Sequence, residues 1–283
     1  MTCVVTAATG NIGSRVVEHL IAAGLRPRVF VRDGEKARSR FGDRVDIATG
    51  DLEDAEALGS ALDSGDSLLL INTGPAIPER DTLAAHVARK AGIRHLVKLS
   101  ALSAAQAIAI GSWHARGEAA IRASGIPFTI VQPAGFMSNA LHWAPSIKSR
   151  DVVRASTGNG RVAYIHPDDI AAVVAAVLTQ QAFMGESLPI TGPQALSYAE
   201  MTNAIGRAIG REVRFEPTSD QQTRERLLAN GLPEIEAEEL VLLWRAVREG
   251  RLSTVTSGVE RVLARAPVSF DQWAVENATA FCR

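Results

Sequence analysis

Short apolar runs rich in β-branched residues alternate with amphipathic stretches through the first half of the chain. Residues 3–8 predict a strand, and 12–23 an amphipathic helix that ends at Gly24. Strands at 28–31 and 45–48 follow, then a helix over 53–62 and a strand over 67–71. The alternation continues with a helix at 80–91, a strand at 95–99, a helix at 112–124 and a strand at 128–131. Apolar runs this short, separated by helical patterns, imply crossover connections and a parallel sheet buried on both faces. Gly24, Gly92 and Gly125 each stand between a helix and the next strand, where a helix commonly ends on glycine.

Beyond residue 133 the rhythm changes. Pro133-Ala-Gly135 and Thr157-Gly-Asn-Gly160 read as loops, and strands become sparse. Residues 161–165 and 187–190 predict strands on either side of a helix at 168–180. Ser197 and Glu200 have capping-box spacing and start a helix to about Ile209; 211–215 reads as a short strand, and the remainder is mostly helical. The fold class expected is α/β, a Rossmann-type doubly wound parallel sheet with a smaller, mostly helical C-terminal lobe. The nucleotide-binding domain would take 1–135, with 161–191 returning to it, and the lobe would take 136–160 and 192–283.

Composition narrows the classes. Among 283 residues, 30 Lys plus Arg face 31 Asp plus Glu, and no basic run suggests a nucleic-acid surface. Cys3 and Cys282 form neither a disulfide framework nor a metal cluster, so no metal is expected. The start of the chain has no secretory pattern and no apolar run approaches bilayer length, so a cytoplasmic protein without membrane contact is expected.

The chemistry starts at Ala7-Ala8-Thr9-Gly10-Asn11-Ile12-Gly13, which joins the first strand to the first helix. In a dinucleotide-binding turn the first glycine permits the bend, the second lets backbone approach pyrophosphate, and the third allows helix–strand packing. Gly10 and Gly13 hold the last two positions, and Ala7 replaces the first, which a turn accepts where φ is negative. Anion binding depends on backbone N–H groups, and the alanine removes none. After the second strand stand Arg32 and Lys36, with Arg15 on the first helix. Three cations favour the 2′-phosphate of NADP, while Asp33 is an alternative that would face a plain ribose. NADP(H) is therefore the expected cofactor, with NAD(H) as the alternative.

With A-x-x-G-x-x-G, "VRDGEKA" after the second strand, "GDLED" after the third, "SWHARGEAAIRASGIPFTIVQPAGFMSN" and "YIHPDDIA", almost the whole chain resembles the NmrA-like branch of short-chain dehydrogenases. The resemblance implies that Asp51 and Leu52 flank the adenine and that Thr73, Gly74 and Pro75 line the dinucleotide channel. It also implies that Ser100, Pro133 and Phe136 approach the nicotinamide. The chain departs from most short-chain dehydrogenases in lacking their Tyr-x-x-x-Lys couple, because Tyr164 and Tyr198 are followed at the fourth position by Asp168 and Thr202. In the corresponding helix His114 and Glu118 share one face. This His-x-x-x-Glu pattern is similar to the type-2 NAD(P)H:quinone oxidoreductases. The carboxylate would favour a charged imidazole and a role in proton transfer, against the plainer reading of a surface pair.

Lys98 lies mid-strand in "RHLVKLSAL" and must reach the sheet's end or pair with a carboxylate, with a catalytic role as the sharper alternative. His166 to Asp169 suits a helix start better than a metal site. Trp113, Trp143, Phe136 and Met137 would line an apolar pocket or belong to the core. The function expected is NADPH-dependent reduction of a small conjugated acceptor (quinone, enone or imine), because such acceptors tolerate a missing Tyr–Lys couple. The alternatives are a non-catalytic NADP(H)-sensing regulator and, last, an isomerase. The expected partner is a small-molecule substrate, with a homodimer left open.

Overall fold

The computed structural model describes residues 1–63 and 65–283. Seven parallel strands form the central sheet. They are β1 (Cys3–Thr6), β2 (Arg28–Val31), β3 (Asp46–Thr49), β4 (Ser67–Leu70), β5 (His95–Leu99), β6 (Phe128–Pro133) and, later in the chain, β9 (Ser187–Ile190). Their order is β3-β2-β1-β4-β5-β6-β9, so the direction of winding reverses between β1 and β4. Side chains alternate across the sheet. Val5, Leu69, Val97 and Val131 join the core on one side, and Val4, Leu68, Leu70 and Leu96 the core on the other. The first core lies under α1 (Asn11–Ala22) and α7 (Pro167–Thr179), which pack together. The second lies under α3 (Ala55–Leu62), α4 (Ile77–Lys90) and α5 (Gly111–Ala123).

One helix of this half escapes the hydrophobic pattern. α2 (Gly34–Phe41) buries only Ala37 and Phe41, and its other positions are mostly charged. It is held at its start by Asp33, whose side chain accepts a hydrogen bond from the Lys36 amide at 2.9 Å.

After β6 come α6 (Ala144–Arg150), β7 (Val152–Ala155) and β8 (Arg161–Val162). The ladder of β8 is shorter than the five residues expected; Ile165 instead bridges to Phe136. β10 (Leu196–Ser197) pairs with β8, and β11 (Arg214–Pro217) runs parallel to β7, a partner that the pattern did not reveal. α8 (Tyr198–Ile209) carries the full capping box between Ser197 and Glu200. α9 (Asp220–Ala229), α10 (Glu234–Arg248), α11 (Gly258–Leu263) and α12 (Phe270–Glu276) complete the chain. A third core, with Met137, Ile147, Tyr198, Met201, Trp273 and Phe281, holds much of this part together. Among the described residues no helix is long and apolar enough to cross a membrane.

Candidate active site

The turn after β1 bends more sharply than its alanine suggests. Ala7 has φ of +49°, not the negative value expected. The cause is the tight return of the chain: the Gly10 amide donates to the Ala7 carbonyl at 2.9 Å, and Gly13 packs directly on that carbonyl. An L-residue in this left-handed region costs about 1 kcal/mol. α1 then begins without a side-chain cap and without an acidic residue in its first turn. Its leading N–H groups, which lack intrahelical partners, point out of the helix start with partial positive charge. Such a cradle fits a diphosphate, and it lies beside the β1–β4 reversal, where open α/β sheets bind dinucleotides.

The neighbouring loops present the other candidates at the same edge. Arg32 and Lys36 are exposed at the end of β2, and no hydrogen bond or ion pair engages either side chain among the described residues. Asp33, the alternative ribose ligand, is committed to capping α2. Arg15 lies 3.9 Å from Asp168, which also holds His19 at 3.1 Å, so the expected triad of cations reduces to Arg32 and Lys36. A groove of about 640 Å³ runs from Thr9, Gly10 and Asn11 along α1 to Arg40 and Asp168.

Asp51 makes a turn by accepting from the Glu53 amide at 3.0 Å, and Leu52 packs against the core under α3. Thr73, Gly74 and Pro75 follow β4. Their approach is pinned by the Thr6 hydroxyl, which donates to the Leu69 and Ile71 carbonyls and accepts from the Ile71 amide at 2.8 Å. The Asn11 side-chain amide donates to Ser138 at 2.9 Å, tying the glycine turn to the segment after β6. The first turn of α1 thus faces the segment that follows Pro133 and Phe136.

The candidate catalytic residues fall in a buried polar layer between β5 and helices α4 and α5. Lys98 and Asp81 are both 0% exposed and 2.9 Å apart, and Lys98 also donates to Asn72 Oδ1 at 3.0 Å. Lys98 therefore takes the carboxylate-paired alternative. Burial pushes its pKa down, and Asp81 opposes the fall. Glu118 accepts from the Ser100 hydroxyl at 2.6 Å and from Gln132 at 2.8 Å, and among the described residues no hydrogen bond or ion pair joins it to His114. The expectation that Glu118 favours a charged imidazole is overturned. Burial, and then the Lys98 charge, lower the His114 pKa to about 3, so the ring is neutral near pH 7.

Asp81, Asn72 and Gln132 were not singled out from the sequence. A signal for Asp81 did exist, since it shares the buried face of α4 with Ile77, Ala84, Ala85 and Ala88. Of the four side chains considered for an apolar pocket, Met137 and Trp143 join the third core, Phe136 packs against the core under α1, and Trp113 is buried on α5. His166 caps α7 and pairs with Glu276 at 3.1 Å. Among the described residues no group of three or more His, Cys, Asp or Glu side chains is placed to hold a metal ion.

A second histidine, His95, is 3% exposed and has its pKa lowered to about 4 by burial. Both rings are neutral in the folded chain and take up a proton below about pH 6.5 once unfolded. Stability from these groups is thus complete above pH 6.5 and is lost as pH falls toward 4. We expect His95 alone to contribute about 1 kcal/mol of loss per pH unit in that window. Urea midpoints at pH 7 and 5 check this, and His95→Gln should flatten the dependence.

Residues 7–181 match the family model described as NAD(P)H-binding. The chain belongs to this NAD(P)H-binding family. Within the family's reach, the chain is 37% identical over 280 residues to a (4-alkanoyl-5-oxo-2,5-dihydrofuran-3-yl)methyl phosphate reductase of Streptomyces griseus, covering 98% of both chains. It is 33% identical over 282 residues to an NAD(P)H azoreductase of Xenophilus azovorans, again with 98% of both chains covered. The fold is that of the NADPH-dependent quinone oxidoreductase of Escherichia coli solved with NADPH, at a TM-score of 0.90 and 22% identity over 98% of this chain and 99% of that one. The family, with these relatives, agrees with the NmrA-like resemblance, and its matched region begins at the glycine turn.

Proposed function

We propose that the protein reduces a small conjugated acceptor, such as a quinone, enone or imine, with NADPH. The observation that carries this reading is the uncapped start of α1 at the sheet's reversal point, with Arg32 and Lys36, exposed and without a side-chain partner among the described residues, at the neighbouring strand end. Bound NADPH would supply a hydride. Thr9, Gly10, Asn11, Ile12 and Gly13 would hold its diphosphate, Arg32 and Lys36 its 2′-phosphate, and Asp51 and Leu52 its adenine. Thr73, Gly74, Pro75, Ser100, Pro133 and Phe136 would line the path to the nicotinamide. Residues 1–135 with 161–191 would form the cofactor half, and 136–160 with 192–283 would close over the acceptor and exclude water.

His114 enters this reading as a neutral hydrogen-bonding group, with Lys98 and Glu118 fixing the layer around it. The reductase and azoreductase names of relatives at 37% and 33% identity support catalysis over a purely regulatory role. We place the protein in the cytoplasm, with a second copy of the chain as the partner to test for.

Purified protein should consume NADPH with members of a panel of quinones, enones and imines. Tight NADPH binding without consumption across the panel would return the regulator. Arg32→Ala should weaken NADPH binding about 10-fold or more, the worth of a charge-assisted hydrogen bond, with little effect on NADH. Equal losses for both would remove the 2′-phosphate argument.

A further inference from the structure

The reductase reading leaves one requirement unmet. A neutral acceptor that takes a hydride must also take a proton, and His114 carries no ionisable proton to give near pH 7. The only two tyrosines of the chain, 34 residues apart in sequence, meet with their hydroxyls 2.9 Å apart. Tyr198 is 3% exposed, with its ring 4.9 Å from Trp143 and 6.0 Å from Phe215. Tyr164 is only half-buried.

The chain makes room for Tyr164 from two sides. A Cβ on Gly135 would stand 2.7 Å from Tyr164 Cε1, and one on Gly192 would stand 2.0 Å from the Tyr164 carbonyl oxygen. The backbone is held there: the Ile165 amide donates to Gly135, and the Met137 amide donates to Ile165, each at 2.9 Å. Gly135 lies two residues past the end of β6. It lies on the far side of the β1–β4 reversal from the glycine turn, toward the half of the crevice that takes the second nucleotide of a dinucleotide.

The direction of the hydroxyl pair follows from burial. A buried O–H needs an acceptor, and among the described residues the Tyr164 oxygen is the acceptor within hydrogen-bond reach of Tyr198, because the Trp244 indole beside it can only donate. Tyr198 therefore donates to Tyr164, and the Tyr164 proton is left for a third group. We propose that Tyr164 is the proton donor to the bound acceptor, resting on the reductase reading above, and that Tyr198 positions it. As the acceptor takes hydride at one atom, its conjugated oxygen or nitrogen becomes anionic and takes the proton from Tyr164 Oη. The O–H bond of Tyr164 breaks, the new O–H or N–H bond forms, and solvent returns a proton to the phenolate. The sum is acceptor, NADPH and one proton giving reduced acceptor and NADP⁺. Burial raises the pKa of both phenols, and the bond from Tyr198 draws that of Tyr164 back down. A phenol suits the basicity of an enolate or a quinol anion.

Cationic acceptors separate this role from mere packing, because an iminium or triarylmethyl cation becomes neutral on taking hydride and needs no proton. Tyr164→Phe should lower the ratio of kcat for a neutral quinone to kcat for a triarylmethyl cation about 100-fold, the scale of general acid catalysis. It should also abolish the solvent deuterium isotope effect on quinone reduction. Tyr198→Phe should lower the same ratio less, about 5-fold, as expected for the loss of one hydrogen bond. In cofactor-free protein, quenching of tryptophan fluorescence by a hydroquinone should require about 10-fold more ligand in Tyr164→Phe, again the worth of one hydrogen bond. An unchanged ratio with unchanged hydroquinone binding overturns the assignment while leaving the reductase reading intact. A wild-type protein that consumes NADPH with no quinone, enone, imine or triarylmethyl cation overturns both.

Discussion

Asp81→Ala should cost about 3–5 kcal/mol of folding stability, the loss that follows when one partner of a buried ion pair is removed. Lys98 is 0% exposed, and Asp81 is its ion-pair partner at 2.9 Å. With the carboxylate gone, the ammonium keeps Asn72 Oδ1 at 3.0 Å, but a neutral amide oxygen does not offset the desolvation of a full charge. The lysine pKa, already lowered by burial, would fall further. The sign of the pH dependence follows. A lysine held below its ordinary value in the folded chain takes up a proton on unfolding, so the deficit is largest near neutrality and narrows as pH rises toward 10. Urea midpoints between pH 7 and 9.5, at constant denaturant slope, measure it. Asp81→Leu with Lys98→Met should recover most of the loss, since two apolar groups need no compensation. A deficit under about 1 kcal/mol in the single variant would mean that Lys98 already reaches water or folds uncharged.

How much of this was legible depends on what each residue must bury. The crossover order is readable because strands such as "CVVT" and "SLLL" carry three apolar residues in succession instead of alternating, as a sheet covered on both faces requires, and all four positions of each are buried. The capping box at Ser197 and Glu200 is readable because both halves of it are local. α2 is hidden because it buries only two side chains, Ala37 and Phe41, and most of its other positions are charged, too few apolar residues to set a helical period.

At the site, the candidate cofactor residues share one edge because parallel strands all end there. The layer around Lys98 is different. A lysine inside a buried strand announces that a partner exists, but which carboxylate it meets depends on the packing of α4 on β5. The Ala7 conformation is not legible because an alanine favours the negative φ expected of it, whereas the turn keeps its left-handed shape and the alanine bears the strain. No spacing rule brings Tyr164 to Tyr198, because Tyr164 lies in the segment between β8 and α7, Tyr198 starts α8, and only the tertiary fold joins them.

That contrast between tolerant and intolerant positions gives the sharpest expectation for the glycine turn. Ala7 accepts a methyl group because it projects to solvent, despite its φ. Gly13 has no such freedom. A Cβ there would stand 2.3 Å from the Ala7 carbonyl oxygen, 2.9 Å from its carbon and 3.1 Å from the Ala8 Cα, all of them backbone. None of these atoms can rotate away, so Gly13→Ala must lift α1 from β1 or open the turn. We expect about 3 kcal/mol of destabilisation, at the upper end of overpacking costs. Displacing the amides at the helix start should also weaken NADPH binding about 100-fold, or roughly 3 kcal/mol. The control is Gly59→Ala on α3, where the new methyl would lie 3.7 Å from Val87 Cγ1, an ordinary contact. That change should leave cofactor binding alone and raise stability by about 0.5–1 kcal/mol through helix propensity. Calorimetric titration with NADPH, paired with thermal unfolding of both variants, separates the outcomes. If Gly13→Ala binds NADPH as the wild type does, the helix start does not hold the diphosphate, and the cofactor must enter the crevice by other contacts.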